Sequence, residues 1–102
     1  MKVMISQPMN GKTNEQINKE REEVKNKLEN CGWEVVDTVF CDYGKDKDKV
    51  NIPVFYLAKS IDAMSKVDAV LFMNNWDKSR GCIIEHEICL RYDILMMYEY
   101  EL

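Results

Sequence analysis

A chain of 102 residues with 46% hydrophobic content can bury one modest core and leaves no room for a separate substrate domain, so residues 1–102 are read as a single domain. Its formal net charge of -4 argues against a nucleic-acid polymer as partner, because a phosphate backbone calls for a basic face. An anionic small molecule would have to be held locally, by Lys12, Lys78, Arg80 and helix-terminal amides.

The first predicted element is a strand from Lys2 to Ser6. Thr13-Asn14-Glu15-Gln16 offers a capping box for a helix running to about Cys31, and Gly32 closes it. Ile17, Val24, Leu28 and Cys31 form the apolar stripe of that helix, with the charged and amide positions between them covering the opposite face. A second strand is expected from Trp33 to Phe40, where Val35, Val36, Val39 and Phe40 favour extended backbone. The polar run Asp42 to Lys49 reads as a solvated connection or a lid. Pro53 suits the first turn of a second helix through about Lys66. The continuous apolar run Asp68 to Met73 predicts a central strand, followed by a loop from Asn74 to Arg80. A third helix from Arg80 to about Tyr92 and a strand from Ile94 to Tyr98 complete the chain.

Strict alternation of strands and helices predicts an α/β fold of three layers, Rossmann- or flavodoxin-like, with a four-stranded parallel sheet in the order 2-1-3-4. In that order the winding reverses between the first and third strands, so their C-terminal ends frame a crevice. The loops Ser6 to Thr13 and Asn74 to Arg80 converge there. The apolar start of the chain is too short for a secretory core, and no stretch is long enough to span a bilayer. Four cysteines without a Cys-x-x-Cys pair fit a reduced, cytoplasmic setting.

Three motifs compete for the chemistry. Ser6 to Thr13 follows a strand and ends in Gly-Lys-Thr, but it departs from a phosphate-cradling P-loop. Ser6 replaces the first glycine, Pro8 removes a backbone donor, and the third strand ends in Asn74 where an aspartate would hold magnesium. Cys82, His86 and Cys89 share a helical stripe without an evident fourth ligand, so packed thiols beside an imidazole are favoured over a metal site. His86 as an acid-base partner of Glu85 is disfavoured, since adjacent helix residues point about 100° apart. Glu85 falls on a stripe with Gly81, Cys89 and Tyr92 that should face the sheet edge. It either satisfies amides at the helix start or serves as a carboxylate nucleophile toward an acetal-like carbon.

Ile5-Ser6-Gln7-Pro8-Met9, Asp68-Ala69-Val70 and Ser79-x-Gly81-x-x-x-Glu85 resemble the nucleoside 2-deoxyribosyltransferase superfamily. The likeness is greatest to its short, often phage-borne members, and the superfamily also includes 2′-deoxynucleoside 5′-phosphate N-hydrolases. The resemblance implies Glu85 as the nucleophile attacking the sugar C1′, Gly81 at the tight entry to the helix, and Ser79 with Arg80 and the helix amides on a 5′-phosphate. It implies that Ser6, Gln7, Pro8 and Met9 shape the sugar and base pocket, with Asn74 on the facing loop, although Gln7 is not the family's usual residue. Where active members place an acid that assists the departing base, this chain has Ser60, leaving Asp62 or Asp77 to supply the proton. No metal or organic cofactor is implied, the partner is a nucleoside or nucleotide, and neighbouring subunits complete the pocket. Ile83, Ile84, Leu90 and the apolar C-terminus accordingly predict a homo-oligomer. The alternative is a non-catalytic nucleotide-binding or oligomeric accessory protein of the same fold.

Overall fold

The computed structural model describes residues 1–37 and 50–102. Four strands, β1 (Lys2–Ser6), β2 (Glu34–Val36), β3 (Ala69–Phe72) and β4 (Leu95–Tyr98), form one sheet in the order β2-β1-β3-β4. All three neighbouring pairs are parallel, with Val3 opposite Val35 and Ala69, and Ala69 in turn opposite Leu95. Three helices, α1 (Asn14–Asn30), α2 (Ile52–Met64) and α3 (Arg80–Arg91), cover the sheet. The expected class, strand order and element order are those found.

Side chains alternate across a strand, and β1 and β3 sort themselves accordingly. Val3, Ile5, Ala69 and Leu71 face α1, where Val24 and Leu28 complete one buried cluster. Met4, Val70 and Phe72 point to the other face and pack with Met64 of α2 and Cys89 of α3. Both central strands are buried on both faces, as parallel strands between helical layers must be. Ser6 shares the parity of Met4, so the pleat alone delivers its hydroxyl to the α2/α3 side.

Local signals set most boundaries. Thr13 caps α1 by accepting from the Gln16 amide at 3.1 Å while Gln16 Oε1 accepts from the Thr13 amide at 2.9 Å, a reciprocal cap worth about 1 kcal/mol. Gly32 stands at φ +90 just beyond that helix, a left-handed position that glycine adopts without steric cost. Asn51 caps α2 through its side chain, with Pro53 in the first turn.

Several expectations change. Cys31 is exposed and is the C-cap of α1, so it does not extend the apolar stripe. Arg21, assigned to the solvent face, lies on the stripe and is only 6% exposed. Its stem packs inward while Nη2 donates to Asp37 at 3.2 Å, and its burial pulls the guanidinium pKa down against the pull of Asp37. A long aliphatic stem can substitute for an apolar side chain when its head finds an anion. Tyr92 is exposed beyond the end of α3. β2 ends at Val36 within the described residues, and its expected continuation to Phe40 and the charged run Asp42 to Lys49 lie outside them.

The C-terminus is tied down internally. Leu102 packs against the α1-side core, and Tyr98 stacks on Tyr100 with centroids 5.5 Å apart. Among the described residues no helix is long and apolar enough to cross a membrane.

Candidate functional site

At the C-terminal ends of β1 and β3, where the winding reverses, lies a cavity of about 310 Å³. Its floor is Ser6, Cys82 and Glu85, its near wall is Gln7, Met9 and Asn10, and its far wall is the apolar side of α2. Ser79 and Gly81 form the rim at the start of α3. The two loops named from the sequence therefore do meet, though through particular members only.

Glu85 lies one and a half turns into α3 and is 8% exposed. Ser6 Oγ donates to Glu85 Oε2 at 2.8 Å, and Oε1 makes no hydrogen bond among the described residues. α3 has no acidic residue in its first turn and no side-chain cap, so Glu85 does not satisfy helix-start amides. Burial raises its pKa from 4.5 to about 7, opposed by the Ser6 hydrogen bond. A carboxyl poised there ionises near neutrality and presents one oxygen to the cavity.

Gln7 is slightly more buried, at 7% exposed. Its Nε2 donates to the Ile17 carbonyl at 2.9 Å, bracing the first loop against α1, and its Oε1 has no partner among the described residues. Cys82 sits on the cavity floor between Ser6 and Ser79, its thiol pKa raised chiefly by burial. Cys89 belongs to the core, pushed up to about 11 by the same cause. His86 instead stacks on Trp76 at 3.9 Å, and its Nε2 lies 2.7 Å from the Tyr98 hydroxyl. The Cys-His-Cys stripe thus divides among three environments, and among the described residues no group of three such side chains is placed to hold a metal.

The remaining candidates separate. Asp62 is 69% exposed and pairs with Lys66 at 3.1 Å, on a different surface from the cavity. Ser60 lines the cavity instead, because residues two apart on a helix diverge by about 200°. Asp77 is exposed in the short 3-10 turn Trp76–Lys78 and does not line the cavity. Asn74 does not line the cavity, and its backbone N–H donates to Glu99 Oε1 at 2.9 Å. Pro8 and Arg80 line an adjoining groove rather than the cavity itself. Lys12 holds Glu20 at 2.7 Å.

Beside Ser60, sequence reasoning missed the rest of the α2 wall, made by Ile52, Pro53, Tyr56 and Leu57. A signal was present: these residues recur at helical spacing in a helix richer in apolar side chains than the single buried residue, Met64, uses. Such a helix has apolar surface to spare for a ligand.

A Cβ built on Gly81 meets nothing within 4 Å. Within a helix, alanine is favoured over glycine by about 0.5 to 1 kcal/mol. Gly81→Ala is expected to raise the melting temperature by a few degrees, on the order of 4 °C, while weakening any ligand that uses the rim. A paired melting and titration experiment checks this; lower stability with unchanged binding would make the glycine structural.

These features define a doubly wound α/β protein with a cavity and a buried carboxyl at its topological switch point. Residues 1–98 match the family described as "Domain of unknown function (DUF4406)", and the chain belongs to that family. No curated protein matches the chain, and no solved structure does.

Proposed function

We propose that the protein cleaves or transfers at the N-glycosidic bond of a deoxynucleotide or nucleoside, with Glu85 as nucleophile. The observation that carries this reading is a buried carboxyl at the switch point, fixed through one oxygen by Ser6 and facing a cavity with the other. The ionised Oε1 attacks C1′ as the C1′–N bond breaks, and the bonding pair leaves with the base, which takes a proton. Water, or a second base, then displaces the sugar from the ester and restores the carboxylate. Ser79 and the first amides of α3 would receive a phosphate on the rim. The reaction so written needs no metal or organic cofactor.

Ser60 in the α2 wall favours a second reading, a nucleotide-binding accessory protein, because a serine assists a leaving base less well than an acid. The deciding experiment incubates the protein with deoxynucleoside monophosphates and deoxynucleosides and follows free base by chromatography. Release that is lost in Glu85→Ala and kept in Asp62→Asn is the expected result. Saturable binding with no release by the wild type would transfer the assignment to the accessory protein.

The proposal extends to a homo-oligomer in a reducing, cytoplasmic setting. Ile83, Ile84 and Leu90 remain exposed on α3, and Cys31, Cys82 and Cys89 are free thiols. Sedimentation at micromolar concentration is expected to give a dimer or larger, and a monomer would remove that part.

A further inference from the structure

The Glu85 cavity opens past its rim into a second groove of about 760 Å³. The two spaces share Met9, Asn10, Pro53, Ser79 and Gly81, so they are continuous across the start of α3. Their chemistry differs sharply. The inner cavity contains no Lys or Arg, whereas the outer groove is lined by Lys12, Lys78 and Arg80 and by no carboxylate. Such a concentration of cations stands out in a chain of net charge -4. Lys78 and Arg80 have no anionic partner among the described residues, while Lys12 is held by Glu20.

Resting on the reading above, we propose that this outer groove is a polyphosphate subsite and that the ligand is a nucleoside 5′-di- or triphosphate. With the sugar C1′ against Glu85, a 5′-phosphate reaches the shared rim at Ser79 and Gly81. Lys12, Lys78 and Arg80 line the groove outside that rim and not the inner cavity, so charge carried beyond the 5′-phosphate would meet them. Second and third phosphoryl groups would place their charge between Lys78, Arg80 and Lys12, with the uncapped first amides of α3 completing the anion-binding surface. Gly81 lines both parts, and a Cβ built there meets nothing within 4 Å.

The test is equilibrium titration of the purified protein with deoxynucleoside mono- and triphosphates of each base at fixed ionic strength, without divalent cation, and with inorganic tripolyphosphate as a separate probe. For at least one base the triphosphate is expected to bind about tenfold or more tighter than the monophosphate. That ratio should fall toward one in Lys78→Gln/Arg80→Gln, a surface variant whose fold is checked by melting, and tripolyphosphate binding should disappear with it. Equal affinities in the wild type, or a ratio that survives the double substitution, would overturn the proposal. If monophosphates bind and release base without any triphosphate preference, the subsite fails alone. If neither nucleotides nor tripolyphosphate bind, the nucleotide reading fails as well.

Discussion

Replacing Glu85 by glutamine is expected to reduce base release by at least about 10³-fold, the scale on which loss of a covalent nucleophile reduces turnover in other enzymes. The substitution keeps the shape of the side chain and lets an amide oxygen still accept from Ser6, so nucleotide binding should persist. In the wild type the rate should rise with pH through about 7, because the raised pKa of Glu85 keeps part of the population protonated and non-nucleophilic below it. A rate-pH profile of the wild type, measured beside Glu85→Gln, checks both parts. Undiminished release by the variant would remove Glu85 from the chemistry. A profile that falls as Glu85 ionises would instead recast it as a proton donor.

The second large effect is on stability, and it has the opposite sign. Burial shifts the carboxyl from 4.5 to about 7, so the folded chain retains a proton that the unfolded chain releases between those values. This contribution to stability is fully present below about 4.5 and is lost as pH rises through 7. A shift of that size corresponds to roughly 3 kcal/mol once both states are ionised. Glu85→Gln carries no such charge and should therefore be more stable than the wild type at pH 8, by up to about 3 kcal/mol, or on the order of 10 °C in melting temperature for a chain this short. At pH 4 the two proteins should melt nearly together. A variant less stable than the wild type at pH 8 would mean that the Ser6–Glu85 bond contributes more to the fold than the buried charge costs.

Together these outcomes would describe an active site kept at the expense of stability. The same trade recurs at Gly81, where a residue with lower helix propensity than alanine occupies α3 without any packing reason for its small size. Both departures lie on one helix and border the same cavity.

The residues that the resemblance to deoxyribosyltransferases singled out divide between two places in the structure. Ser6, Gln7, Met9, Ser79, Gly81 and Glu85 line one space. Asp62, Asp77 and Asn74 do not join them. In the proposed reaction Asp62 on α2 is therefore not placed to give the departing base its proton, since its exposed carboxylate pairs with Lys66. The functional comparison of interest is consequently between wild type and Glu85 variants, not among the acids that the sequence alone suggested.

The amino-acid sequence by itself determined the elements and their order. Alternating apolar runs, the Thr13 capping box, Gly32 and Pro53 are local signals, each acting within a few residues, and they specify where strands and helices begin and end. It also placed Glu85 and Ser6 at the crevice, because a 2-1-3-4 order puts the ends of β1 and β3 side by side and the period of a strand fixes the face on which Ser6 lies. Only the tertiary structure decided how the helices are rotated about their own axes. That rotation buried Arg21 beside Val24 and Leu28, turned Ser60 inward and Asp62 outward, and made the apolar face of α2 a cavity wall. It also put the cations outside the rim rather than within it. Rotation and spacing between layers come from the summed packing of residues distant in the chain, and no short stretch of sequence encodes them.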